Sequence, residues 1–323
     1  MNMVLALSAL AVSFSFAGGD ADAFAKSLSE ATGKPVLMVS PTRQKFPAFE
    51  KTTETIRSLS NAVADAYDFQ NGGMDDLGFC ETSYPPSIIA NWPDPVTKKP
   101  TKRQDPSAPT AARVYVHEFQ ADGRMTLSFP AVNGPTLAGI FATIYSASGG
   151  KALATHGTVI GKLRLAGFGK DVSRAEFLNC VASAIGARIE QSASVAKLIP
   201  EPSRFQARIA GAFRACIPQV DSATLRARYQ LAADLTMALD DTAIADFAET
   251  ARISVQPEGN RMPRVAAIAT AWIRKNFQTL PEKARTALSR MSGPSSRPKF
   301  SIRLGLDECP RITVTDGTQT VEL

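Results

Sequence analysis

Few of the side chains that usually carry chemistry occur in this sequence, and their spacing limits what they can do together. The two histidines are His117 and His156. His117 is followed by Glu118 in a segment that alternates like a strand, so the two side chains point to opposite faces and share no proton without a third group. His156 follows Gly149-Gly150 with no carboxylate close in sequence. Cys80, Cys180, Cys216 and Cys309 form no Cys-x-x-Cys pair and do not offer the clustered ligands of a zinc site. Cys180 and Cys216 fall on predicted helices and read as small buried hydrophobes, with one or two disulfides left open. Asp75-Asp76 and Asp240-Asp241 sit at turns, where helix capping explains them more simply than a metal. Arg226 and Arg228, and Arg261 and Arg264, are spaced to meet an anion, although solvated faces explain them. Gly18-Gly19-Asp20 and Gly167-Phe168-Gly169 lack the third glycine of a dinucleotide fingerprint and read as strand–helix turns. Gly-x-Ser-x-Gly, phosphate-loop and His-Glu-x-x-His motifs do not occur in the sequence. No residue is assigned to catalysis, to a cofactor or to a metal.

Composition points the same way. The chain has 323 residues, 44% of them hydrophobic, which suits two domains or three small ones and argues against wholesale disorder. No run of ~18 apolar residues occurs, so no ordinary membrane-spanning helix is expected. The formal charge of +6 divides into −2 over residues 1–110 and +4 over each of 111–199 and 200–323. Cations that grip nucleic acid gather on one face or in a run, often among aromatics. The run Lys98-Lys99-Pro100-Thr101-Lys102-Arg103 lies among prolines and reads as a solvated loop, so no specific nucleic-acid partner is expected.

The elements that must position these groups follow from pattern. Val4–Ala11 is a short apolar run ending Ala-Leu-Ala, the small-x-small form that signal peptidase accepts, so 1–11 reads as a truncated signal segment. Val12–Phe16 alternates as a half-buried strand. Asp20 caps a helix over Ala21–Thr32, Gly33 stops it, and Val36–Val39 is a buried strand. A third strand is expected over Lys45–Glu50, and a helix from Thr52 to Phe69 capped by Thr52 or Thr53. That makes 12–70 an α+β module of strand, helix, strand, strand and helix. Residues 71–110 crowd prolines and read as a linker, in which Trp92 covers the edge of a core or plugs a groove. In 111–199, a second α+β module, Arg113–Pro130 forms a hairpin about Asp122-Gly123. There Leu137–Tyr145 is helix or strand, Val159–Leu165 a strand, and Ser173–Gly186 a helix with a Ser173/Glu176 capping box. Residues 200–323 are mainly helical (Ser203–Ile217, Ser222–Leu239, Thr242–Ile253, Pro263–Phe277, Pro281–Met291), closed by strands at Phe300–Leu306 and Ile312–Val321, the latter a small hairpin at Asp316-Gly317. The fold class expected is α+β.

The run Val12–Val39, VSFSFAGGDADAFAKSLSEATGKPVLMV, resembles the N-terminal domains of secretins and the short domain of TonB-dependent transducers, where an alternating strand leads into a helix ending Thr-Gly and then an apolar strand. The resemblance covers about residues 12–70, with a repeated strand–glycine–helix–glycine order near 159–190. The secretin barrel has no counterpart here, so what the resemblance implies is a contact-forming module. The function expected is that of a non-catalytic, exported cell-envelope protein, periplasmic or secreted, meeting a protein partner or its own copies. The contact candidates are the exposed strand edges of the first three-stranded unit and of the hairpin. The alternatives are an enzyme with dispersed catalytic residues, His117 and His156 its histidines, or a cytoplasmic adaptor.

Overall fold

The computed structural model describes residues 11–39, 45–71, 76–104, 116–120, 123–131, 134–148, 152–155, 157–192, 195–257, 262–291 and 299–323. The expected truncated signal segment falls, but for Ala11, outside them. Helices begin where capping side chains stand. Asp20 accepts from the Ala23 amide at 2.8 Å ahead of a helix over Ala21–Thr32, and Gly33 closes it in the left-handed region at φ 67°. Ser173 and Glu176 exchange the reciprocal hydrogen bonds of a capping box, and Ser222 and Asp240 cap two later helices.

The chain is α+β and divides into two compact units. The first draws on the described residues of Met1–Pro85, Ser107–His156 and Ile160–Glu201. In chain order it holds β1 (Val12–Phe16), α1 (Ala21–Thr32), β2 (Val36–Val39), β3 (Phe49–Thr53), α2 (Ile56–Tyr67), β4 (Phe69–Asn71) and β5 (Leu77–Glu81). Then come β6 (Val116–Phe119), β7 (Met125–Phe129), α3 (Leu137–Ser148), β8 (Ala152–Thr155), α4 (Thr158–Gly161, which begins in the second unit), β9 (Leu165–Val172), α5 (Arg174–Ile185), β10 (Ala187–Gln191) and β11 (Val195–Pro200). A six-stranded sheet runs β4-β5-β2-β9-β7-β6, parallel between β2 and β5 and antiparallel elsewhere. All four residues of β2 are buried, which is why an unbroken Val-Leu-Met-Val run sits inside this sheet. A three-stranded sheet runs β10-β11-β8, and β1 pairs with β3 alone among the described residues.

Several expectations need correction. The first stretch does not form one three-stranded unit: β1 and β3 make a ribbon, while β2 joins strands from 77–81 and 165–172. The stretches 12–70 and 111–199 therefore share a sheet. The third strand lies later than expected because the β-branched Thr52 and Thr53 pair opposite Ser13 and Val12, which moves the cap of α2 to Thr55. The proline-rich stretch is less of a linker than its composition suggests. It contributes β5, and it buries Tyr84, Ile89 and Trp92. Gly167-Phe168-Gly169 is no turn: it lies inside β9, where a Cβ on Gly167 would stand 2.2 Å from the Val36 carbonyl of β2. The strand expected at 159–165 begins only at Leu165, after the single turn of α4.

The second unit draws on the described residues of Pro86–Pro106, Gly157–Val159 and Pro202–Leu323. It contains α6 (Pro202–Cys216), α7 (Ala223–Thr236), α8 (Asp241–Thr250), β12 (Arg252–Val255), α9 (Pro263–Asn276), α10 (Glu282–Met291), β13 (Lys299–Gly305), β14 (Arg311–Thr315) and β15 (Thr320–Glu322). The helix expected to reach Ile253 stops at Thr250, because Ala251 turns left-handed and Arg252–Val255 pairs antiparallel with β13. The closing strands form an antiparallel sheet β12-β13-β14-β15, with the small hairpin at Asp316-Gly317 as expected. Trp92 covers the helical core as expected, stacking on Tyr229 at 4.2 Å and donating its indole N–H to the Leu306 carbonyl at 3.3 Å. Among the described residues no helix is long and apolar enough to cross a membrane.

Candidate functional site

The alternation read in Val12–Phe16 is what fixes β1 in place. Phe14 and Phe16 are buried, whereas Ser13 and Ser15 face water. The two rings meet the edge of Phe24 of α1 at 5.9 and 5.3 Å, and Phe24 stacks on Phe46 at 4.8 Å. Tyr67 of α2 closes the cluster edge-on to Phe24 and Phe46 at 5.2 and 5.0 Å. Its hydroxyl donates to the Pro47 carbonyl at 2.8 Å, and burial pushes its pKa up to about 12, so it stays a donor. Burying each large apolar side chain contributes roughly 1.5–3 kcal/mol, enough to hold a five-residue strand that has one ladder partner. On the wet face a Ser13–Thr52 hydroxyl contact of 2.8 Å ties the ribbon together.

Among the described residues this leaves one backbone edge of β1 without a strand beside it. The two strands of the ribbon differ in how they guard theirs. β3 carries Glu50 and Lys51, the charges that blunt an edge, whereas β1 carries no charge and no proline. An extended, uncharged strand held rigidly from below is a template for a further strand, whose affinity would come from main-chain hydrogen bonds. The other strand expected to offer an edge, in the hairpin, is β6, which among the described residues stands last in the six-stranded sheet. His117 stands opposite Leu127 and Glu118 opposite Thr126 in that register.

A cluster of charge collects at the start of α5. Glu176 accepts from the Ser173 amide at 3.0 Å and from Lys34 Nζ at 3.0 Å, with Arg124 Nη2 at 3.9 Å. Arg124 also bonds Asp171 through Nε at 2.7 Å. The Ser173 backbone bond, then Lys34, hold the Glu176 carboxyl down to about 2. A carboxylate so firmly ionised transfers no proton near neutrality, which makes it a fastener of α5 to the starts of β2 and β7. Beside it an open groove of about 280 Å³ is lined by Ser29, Glu30, Gly33, Phe168, Lys170 and Asp171.

The remaining candidates divide by burial. Cys80, Cys180 and Cys216 are buried free thiols and Cys309 is half-buried, also free. Burial first, and the charge of Asp76 second, push the Cys180 thiol upward, and burial raises Cys309 to about 11, so neither is an activated nucleophile. Asp240 is a cap as expected, but Asp76 is not: it precedes a strand, and its carbonyl accepts from Ser60 at 3.4 Å. The solvated reading fails for Arg228 and Arg103. Arg228 is buried, lies over the Trp272 ring at 4.4 Å and donates to the Pro310 and Leu323 carbonyls at 3.0 and 3.3 Å. Arg103 donates to the Pro86 and Ala90 carbonyls at 2.9 and 3.2 Å, and to the Tyr229 hydroxyl at 3.3 Å. The missed signal was helical spacing, since Arg228 shares a face of α7 with Leu225, Tyr229 and Ala232. His156, Asp75 and Arg261 lie outside the described residues. Among the described residues no group of three His, Cys, Asp or Glu side chains is placed to hold a metal ion. Compared with family models, characterised proteins and solved structures, the chain finds no match.

Proposed function

We propose that the chain is a non-catalytic cell-envelope protein that works by contact, accepting a strand from a protein partner or from its own copy at β1. The observation that carries this reading is the contrast within the ribbon. β1 has its apolar face packed on Phe24 of α1 within the aromatic cluster, and its edge has neither charge nor proline to deter another strand. The secretin-like pattern of Val12–Val39 and the Val4–Ala11 run supply the envelope location in this proposal. A photo-reactive amino acid at Ser15, with one at exposed Lys197 of β11 as control, tests it in the native cell. A discrete cross-linked species from position 15 alone, recovered with the periplasmic fraction, is the expected outcome. Identical patterns from both positions would remove the edge as the contact, and recovery with the cytoplasm would remove the location.

A further inference from the structure

The net charge is not spread evenly over the second unit. Residues 261–299 carry nine Lys and Arg against the single acid Glu282, a local +8 that exceeds the +6 of the whole chain. The folded helices sort these cations outward. At 100° per residue Arg264 and Lys275 fall on one stripe of α9, while Val265 and Ala269, roughly 80–140° round the helix, are buried. On α10 Lys283 and Arg290 share a stripe, while Leu288 and Met291 face inward. Arg264, Arg274, Lys275, Lys283 and Arg290 are all exposed, and none pairs with a described carboxylate. Cations left unneutralised in such density repel one another, and a polyanion relieves that repulsion.

We propose that the exposed face of α9 and α10 is a docking surface for an anionic phospholipid bilayer, held at the headgroups. Charge complementarity carries the assignment, and the residues between the charges decide the partner. On α9 the exposed positions among the cations are Ala267 and Ala271, small and apolar, which suit the headgroup boundary. The one amide on these helices, Asn276, spends its Nδ2 on the Trp272 carbonyl at 2.8 Å, and no aromatic on them is exposed to stack on bases, which sets nucleic acid second. Nor is a large apolar side chain exposed on either helix, so contact is electrostatic and peripheral rather than inserted.

Flotation of the full chain with vesicles tests this. Binding is expected to vesicles of equimolar phosphatidylcholine and phosphatidylglycerol, not to phosphatidylcholine alone, and is expected to fall steeply with added salt. At about 1 kcal/mol per cation near an anionic surface, the double variant Arg264→Ala/Lys275→Ala should weaken binding roughly 30-fold. Lys283→Ala/Arg290→Ala should do the same, and Lys197→Ala in the first unit should leave it unchanged. Equal binding to both vesicle types would overturn the proposal. So would vesicle binding that survives both double variants while binding to a random-sequence DNA duplex is lost.

Discussion

Glu176 is a single carboxyl that fastens several strands' worth of sequence. Because its folded pKa lies near 2, below the ordinary 4.5, the stability it contributes is fully present above pH 4.5 and drains away as the pH falls toward 2. Urea melts should show the wild-type chain losing its advantage over Glu176→Gln across that window, and parallel curves would contradict the assignment. Gly78 acts by having no side chain. A Cβ there would stand 2.2 Å from the Cys180 carbonyl of α5, so Gly78→Ala must push the helix off the sheet. A destabilisation of about 1–3 kcal/mol by urea titration is expected, the range typical of overpacking. Neither role is visible from residue type alone. The capping box at Ser173 was legible because its two members are three residues apart. Lys34, 142 positions from Glu176, was not.

Among elements, what is local was legible and what is paired was not. Asp20, Ser173, Ser222 and Asp240 begin helices near where their side chains predict, since a cap needs only the next three residues. Asp20→Ala and Asp240→Ala should each cost about 1 kcal/mol in thermal or urea unfolding, and a null effect at either would deny that cap its share. Strand pairing does not show where the partner lies far off, as with β2 and β9, and Gly167 looks like a turn residue because its neighbour across the ladder is remote in sequence. The edge of β1 was legible in part. Alternation gave its buried face, but only the pairing shows that β3 alone stands beside it among the described residues. The cationic stripes of α9 and α10 do not show in the net charge of residues 200–323, because the acids of α7 and α8 offset the local excess.

For the molecule as a whole, the sheet of the first unit is assembled from remote parts of the chain. Val36 pairs with Leu77 and with Phe168, 41 and 132 positions further on. A fragment ending at residue 71 would therefore carry β2 with neither ladder neighbour, and although Val36 and Met38 keep the cluster around Phe24, the face that meets α5 would lie open. Such a fragment should show no cooperative urea transition and should aggregate on concentration; a sharp melt would contradict this account of the core. The same arrangement sets a clock during synthesis. At roughly 5–20 residues per second, β2 leaves the ribosome on the order of ten seconds before β9 exists to meet it. For that interval the most apolar strand of the protein lacks one of its two ladder partners, and conditions that slow translation lengthen its exposure.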